Sequence, residues 1–308
     1  MPKFILLILK NFLASFSKTT KNKDYPEHGI YNERLNIPYL DDNEYHHQFD
    51  IYYAKEPIKN AVIIDIHGGA YMFGQHEDNY YFGTEFLARG YDFICIDYLP
   101  NDGKRQIKDL VDDCALCLMY IFNHMVELGL SGKKIILTGD SAGGHFALLL
   151  AEAINDKQLA LELGYEFRDD IDLIAVMLNC PVYDFAVVGR KEMTKASLRR
   201  MLGSKYTNAK LMELLSPRTH IDKLKTPLFC STCRNDFIRK ESVTLNEDMR
   251  SSITPFLFVD IPSKDMAVGH VHNVLAPSLK ESKKVNNLML KFLEACLLKS
   301  RKETKKVE

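Results

Sequence analysis

Residues 134–150 read KIILTGDSAGGHFALLL: an apolar strand-like run, a glycine-bracketed turn, then an apolar helix-like run. Few chain geometries satisfy that pattern. A serine at such a strand-to-helix turn stands clear of the backbone in a strained conformation, and glycines two residues to either side remove the Cβ atoms that would clash. The helix that follows aims its positive N-terminal end at the same point. Ser141 is therefore the candidate nucleophile, and the turn requires a parallel sheet behind it.

The rest of the chain supplies one. AVIIDI (61–66), YDFICIDY (91–98), DLIAVMLNCP (172–181), PLFCSTC (227–233) and PFLFVDI (255–261) are short, β-branched or aromatic and nearly uncharged. Such runs suit strands buried on both faces. RLNIPYL and HHQFDIYYA precede them and predict an antiparallel start to the sheet. Helical periodicity fills 78–89, 104–128, the stretch after Ser141, and 278–299. The expected fold is α/β, a mainly parallel sheet flanked by helices. Residues 184–222 exceed a minimal strand–helix alternation and predict two or three short helices inserted as a cap above the carboxyl ends of the strands. The domain reading is a lead-in over 1–34, one domain over 35–299 and a solvated basic tail over 300–308.

Upstream of the serine turn, AVIIDI runs into His67-Gly68-Gly69-Ala70-Tyr71. Glycines let backbone N–H groups approach a ligand oxygen closely, which a developing oxyanion needs. HGGA followed some 70 residues later by GDSAGG resembles the hormone-sensitive-lipase-like esterases of the α/β-hydrolase superfamily, and FDIYYAKEPIKNAVIIDIHGGAYMFG resembles their small bacterial, feruloyl-esterase-like branch. The resemblance implies oxyanion donors at Gly68, Gly69 and Ala142, and His67 as a residue that orients the loop. The usual third glycine is Ala70, whose methyl group is accommodated if φ is negative there. For this fold the acid and then the base follow the serine. The resemblance places the acid at Asp236, after PLFCSTC, and the base at His270 within Gly269-His270-Val271-His272; relatives carry a pocket-side aromatic where His272 stands. Tyr71, Tyr183, Phe237 and His272 are the candidate substrate contacts, although Tyr183 and Phe237 serve equally well as packing beneath the cap.

The function this implies is hydrolysis of small, short-acyl carboxylic esters. An arylformamidase-like amidase and a ligand-binding homologue without catalysis are the other readings. No cofactor is expected. No metal is expected either, because no carboxylate or cysteine adjoins the two histidines at ligand spacing in the chain. A net charge of -1 gives no reason to expect nucleic acid as a partner. Seven cysteines cannot all pair, and several lie in apolar runs, so the expected compartment is the reducing cytoplasm. Met1–Ser17 reads as an amphipathic helix, too short in its apolar run to span a bilayer, with membrane-surface association as the lesser alternative. The expected assembly is a monomer or homodimer.

Overall fold

The computed structural model describes residues 27–57, 59–184 and 195–307. The amphipathic segment 1–17 and the first part of the expected cap, 185–194, lie outside the described residues. Eight strands form one sheet in the order β1-β2-β4-β3-β5-β6-β7-β8. They are β1 (Asn32–Pro38), β2 (Gln48–Tyr53), β3 (Ala61–Ile66), β4 (Asp92–Ile96), β5 (Lys134–Asp140), β6 (Leu173–Asn179), β7 (Leu228–Cys233) and β8 (Phe256–Ile261). β1 pairs antiparallel with β2, and β2 antiparallel with β4. The remaining neighbours are parallel. The two leading segments thus form the antiparallel start, and β1 begins inside the segment read from sequence as a lead-in.

Every residue of β3 and β4 is buried, as a parallel sheet covered on both faces requires. Strand alternation divides these side chains between two cores. Val62, Ile64 and Ile66 face one layer with α2 (Ile107–Asn123) and α3 (Ala142–Asn155). Ile63 faces the other with α1 (Tyr80–Leu87), which a 3-10 turn over His76–Asn79 precedes, and with the C-terminal helix. A short α4 (Lys157–Leu163) starts where the Asp156 side chain accepts the N–H of Leu159.

Between β6 and β7 lie α5 (Lys195–Leu202), α6 (Ala209–Leu214) and α7 (Pro217–His220), interspersed with 3-10 turns. These are the short helices expected in 184–222. Next come α8 (Arg239–Met249), too polar to stand out by periodicity, and α9 (His272–Leu275). The last helix, α10, runs Lys280–Val307. Residues 300–307, in the segment read as a basic tail, continue the helix; Lys and Glu are good helix formers and no Gly or Pro interrupts the stretch. No helix among the described residues is long and apolar enough to cross a membrane.

One core residue breaks the apolar pattern of α3. Glu152 is fully buried, and neither carboxyl oxygen has a hydrogen-bond partner among the described residues. Burial, with the nearby Asp222 charge, pushes its pKa well above the usual carboxylate range, so the folded protein keeps this acid protonated. The unfolded chain ionises it near pH 4.5, so Glu152 costs progressively more stability as pH rises above that value. Glu152→Gln and Glu152→Met should each raise stability at about pH 8 by about 1–3 kcal/mol, with little gain at about pH 4. Urea denaturation at both pH values checks this.

Candidate active site

The turn between β5 and α3 holds Ser141 at φ 53°, ψ -114°, in the left-handed half of backbone space. Its N–H donates to the Asn179 carbonyl at 2.9 Å, and its own carbonyl accepts the N–H of Val182 at 3.1 Å. The end of β6 therefore clamps the strained residue. A Cβ on Gly143 would sit 1.9 Å from the Ile66 carbonyl oxygen, and one on Gly139 2.5 Å from that of Gly143. Both glycines are steric requirements of the turn.

Three residues distant in sequence meet here. His270 Nε2 lies 2.9 Å from Ser141 Oγ, and His270 Nδ1 lies 2.7 Å from Asp236 Oδ1. With the proton on Nδ1 donated to the carboxylate, Nε2 is an acceptor aimed at the serine hydroxyl. Asp236 also accepts the Thr232 hydroxyl at 2.7 Å and the Ile238 N–H at 3.0 Å. Burial works to raise the Asp236 pKa, but the His270 charge and these donors outweigh it and hold the carboxyl below its ordinary value. Two thiols bracket the histidine loop. Cys233 Sγ donates to the Gly269 carbonyl at 3.1 Å, and Val271 N–H donates to Cys180 Sγ at 3.3 Å.

The loop after β3 departs from expectation in two respects. Gly68 N–H donates to Asp140 Oδ1 at 2.9 Å, so it is not available as an oxyanion donor. Asn79 Nδ2 reinforces that arrangement by donating to the same oxygen at 2.8 Å and to Asp65 Oδ2 at 2.7 Å. The N–H groups of Gly69, Ala70 and Ala142 have no acceptor among the described residues. Secondly, Ala70 has φ 53° and Tyr71 φ 66°, not the negative φ expected for Ala70. Two consecutive L-residues here cost about 1–2 kcal/mol each. The loop tolerates this because Met72 and Phe73 N–H groups both close onto the Gly69 carbonyl and Asn101 N–H onto that of Tyr71.

His67 braces the loop from below. Its Nδ1 donates to the Gly68 carbonyl at 2.7 Å and its Nε2 to Asp97 Oδ1 at 3.0 Å, while the ring stacks on Tyr98. Asp97, fully buried, also receives His46 Nδ1 at 3.1 Å and His76 Nδ1 at 2.9 Å. Burial disfavours the His67 charge, but the Asp97 carboxylate overrides it and raises the imidazole to about 9. Acceptors at both ring nitrogens fit the imidazolium form.

The BD-FAE family model matches residues 49–268, most of the chain, from the second residue of β2 through β8. The chain belongs to the BD-FAE family. A probable carboxylic ester hydrolase of Mycobacterium tuberculosis, LipM, is 27% identical over 65% of this chain and 48% of its own length. A probable isoprenylcysteine alpha-carbonyl methylesterase of Arabidopsis thaliana, ICMEL1, is 31% identical over 32% of this chain and 21% of its own. The chain thus spans at most about half the length of these curated relatives. Esterase B from Lactobacillus rhamnosis, crystallised with a C4-C4 SN3 tributyrin phosphonate inhibitor, superposes with a TM-score of 0.80 at 21% identity, covering 98% of this chain and 99% of that one. A bacterial heroin esterase gives 0.67 at 20% identity over 91% and 89%. These likenesses show the α/β-hydrolase fold.

In this BD-FAE member a cavity of about 80 Å³ opens at Ser141, walled by Ala70, Tyr71, Val182, Met201, Phe237 and Leu275. Tyr71 and Phe237 are thus at the wall, as expected. Phe237 also packs 4.3 Å from the His270 ring, and the Tyr71 hydroxyl donates to His145 Nδ1 at 3.3 Å. Burial lowers His145 to about 4, so it is a neutral acceptor there. The other two expected contacts lie elsewhere. Tyr183 is buried beneath the helices with its hydroxyl on Asp248 at 3.0 Å, which is the packing alternative. His272, buried and lowered to about 4, donates to Ser282 Oγ at 2.9 Å on α10. Because Val271 takes a left-handed φ of 50°, the chain turns sharply and separates the two histidines. Sequence reasoning missed Asp140, Asn79 and Cys180. Asp140 adjoins the serine and could have been found; the other two carry no local signal.

His67→Gln should cost stability chiefly at low pH. The raised imidazole contributes fully below about pH 6.5, and that contribution is lost as pH rises through about 9. Denaturation should give a deficit of up to about 3 kcal/mol at about pH 6 that shrinks by about pH 10. Ala70→Gly should add about 1 kcal/mol by removing one left-handed alanine, read as a higher urea midpoint.

Proposed function

We propose that this chain is a serine carboxylesterase acting on small, short-acyl esters. The observation that carries the reading is the continuous line Ser141 Oγ–His270–Asp236, with spacings of 2.9 and 2.7 Å. His270 Nε2 takes the hydroxyl proton as Ser141 Oγ attacks the acyl carbon, and Asp236 stabilises the imidazolium without itself being protonated. Charge that develops on the carbonyl oxygen is met by the N–H groups of Gly69, Ala70 and Ala142 and by the N-terminus of α3. Each such donor is worth about 3–4 kcal/mol in the transition state. His270 then protonates the departing alcohol, and water repeats the sequence on the acyl-enzyme.

Cavity size supports the short-acyl preference. A cavity of about 80 Å³ beside Ser141 favours a small acyl group over a long one. Val182, Phe237 and Leu275 make it apolar, and Met201 of α5 contributes from the cap side. That the fold match carrying a tributyrin-derived phosphonate is an esterase supports the same reading. The seven cysteines are unpaired and buried, which supports a reducing compartment.

Turnover of p-nitrophenyl esters of increasing chain length tests the proposal. Acetate or butyrate should give the highest kcat/KM, with a fall for octanoate and longer acyl groups. Ser141→Ala should lower kcat by at least about 10³-fold and Asp236→Asn by about 10⁴-fold. Wild-type rates from the Ser141→Ala protein, or a higher kcat/KM on an N-formyl anilide than on any ester, would reject it.

A further inference from the structure

Cys180 places a sulfur beside the proposed acid and base. It follows β6 directly in a left-handed conformation, φ 48°, which turns its side chain toward the loops after β7 and β8. Its ligand atom and those of Asp236 and His270 all lie within 4.8 Å of one another, and all three residues are buried. Thiol, carboxylate and imidazole are a soft-to-borderline donor set, which selects zinc-like ions over magnesium or calcium.

We propose that Cys180, Asp236 and His270 form an inhibitory site for one thiophilic divalent cation such as Zn²⁺. The proposal rests on the reading of His270 as the base. Zinc bonds of about 2.3 Å to sulfur and about 2.0 Å to nitrogen and oxygen set ligand spacings of roughly 3.3–3.8 Å. The 2.7 Å contact between His270 and Asp236 need only open by less than an ångström. Charge also balances. The thiol passes its proton to solvent, and a 2+ ion with one thiolate, one carboxylate and a neutral imidazole is neutral overall, which avoids most of the cost of burying charge. Three protein ligands leave the fourth tetrahedral position to a water molecule that enters with the ion.

Occupancy stops the chemistry through the tautomer. Metal on Nδ1 moves the imidazole proton to Nε2, which then donates toward Ser141 Oγ and can no longer accept its proton. The ion also takes the carboxylate away from its role of stabilising imidazolium.

The test uses the full chain stripped with a chelator, p-nitrophenyl butyrate as reporter, and Zn²⁺, Mg²⁺ and Co²⁺ as probes. Micromolar Zn²⁺ should abolish hydrolysis reversibly, and Mg²⁺ should not. Cys180→Ser, whose hydroxyl can still accept the Val271 N–H, and Cys180→Ala should each need about 100-fold more Zn²⁺ to halve their own metal-free rate. Co²⁺ should give a thiolate-to-metal absorption band with wild type and with neither variant. That band needs no ester turnover, so it separates failure of the site from failure of the esterase reading. Should both variants fold poorly, loss of the wild-type band in Asp236→Asn carries the same test. Variants as Zn²⁺-sensitive as wild type, or a wild type with neither inhibition nor band, would overturn the proposal.

Discussion

The hydrogen bond from Gly68 N–H to the Asp140 carboxylate joins the two loops on which the site depends. Asp140 is the last residue of β5 and immediately precedes the serine; Gly68 follows β3, its neighbour in the sheet. The bond is available only because no Cβ intervenes: one on Gly68 would stand 2.3 Å from Asp140 Oδ2. It explains how two strained turns keep a fixed separation. It also shifts the free N–H groups one residue along, to Gly69 and Ala70. Asn79 shares its two donated bonds between Asp140 and Asp65, whose carboxyl burial pushes well above its ordinary pKa. Few nearby positive charges are needed when one of two facing acids keeps its proton.

A second buried carboxylate does the opposite. Asp97 lies at the end of β4 and is held below the ordinary carboxylate range despite burial, because three histidines and the Tyr98 N–H converge on it. Those histidines come from the β1–β2 connection, the loop after β3 and the 3-10 turn before α1. One anion thus ties three connections together beyond the carboxyl end of β4. Buried ionic groups of this kind are costly to form and costly to break, so the position of His67 is set by a network and not by one contact.

Local chemistry determined much of the fold. The apolar runs became strands at almost their sequence limits because nearly uncharged, β-branched segments suit a covered sheet, although β8, at the edge, is only partly buried. The turn around Ser141 was legible from its two flanking glycines, although only the demand on Gly139 is local; the atom that excludes a Cβ at Gly143 is the Ile66 carbonyl of the neighbouring strand. Polar helices were less legible: α8 has little periodicity, and α10 outlasts its apolar stripe because Lys and Glu are good helix formers.

What the sequence by itself determined, then, was the sheet, the serine and the order of the residues expected to serve it. The tertiary structure decided which groups face the cavity and which are already engaged. Gly68 looked like a donor until Asp140 was seen to hold it, and Ala70 took the left-handed φ that its side chain disfavours. His272 differs from His270 by two positions, yet one left-handed residue sends it to α10. Cys180 stands 90 positions from His270 along the chain, and only the juxtaposition of strand ends brings sulfur, carboxylate and imidazole together. Hydrogen-bond partners and metal-ligand distances are set across strands, where spacing along the chain carries no information.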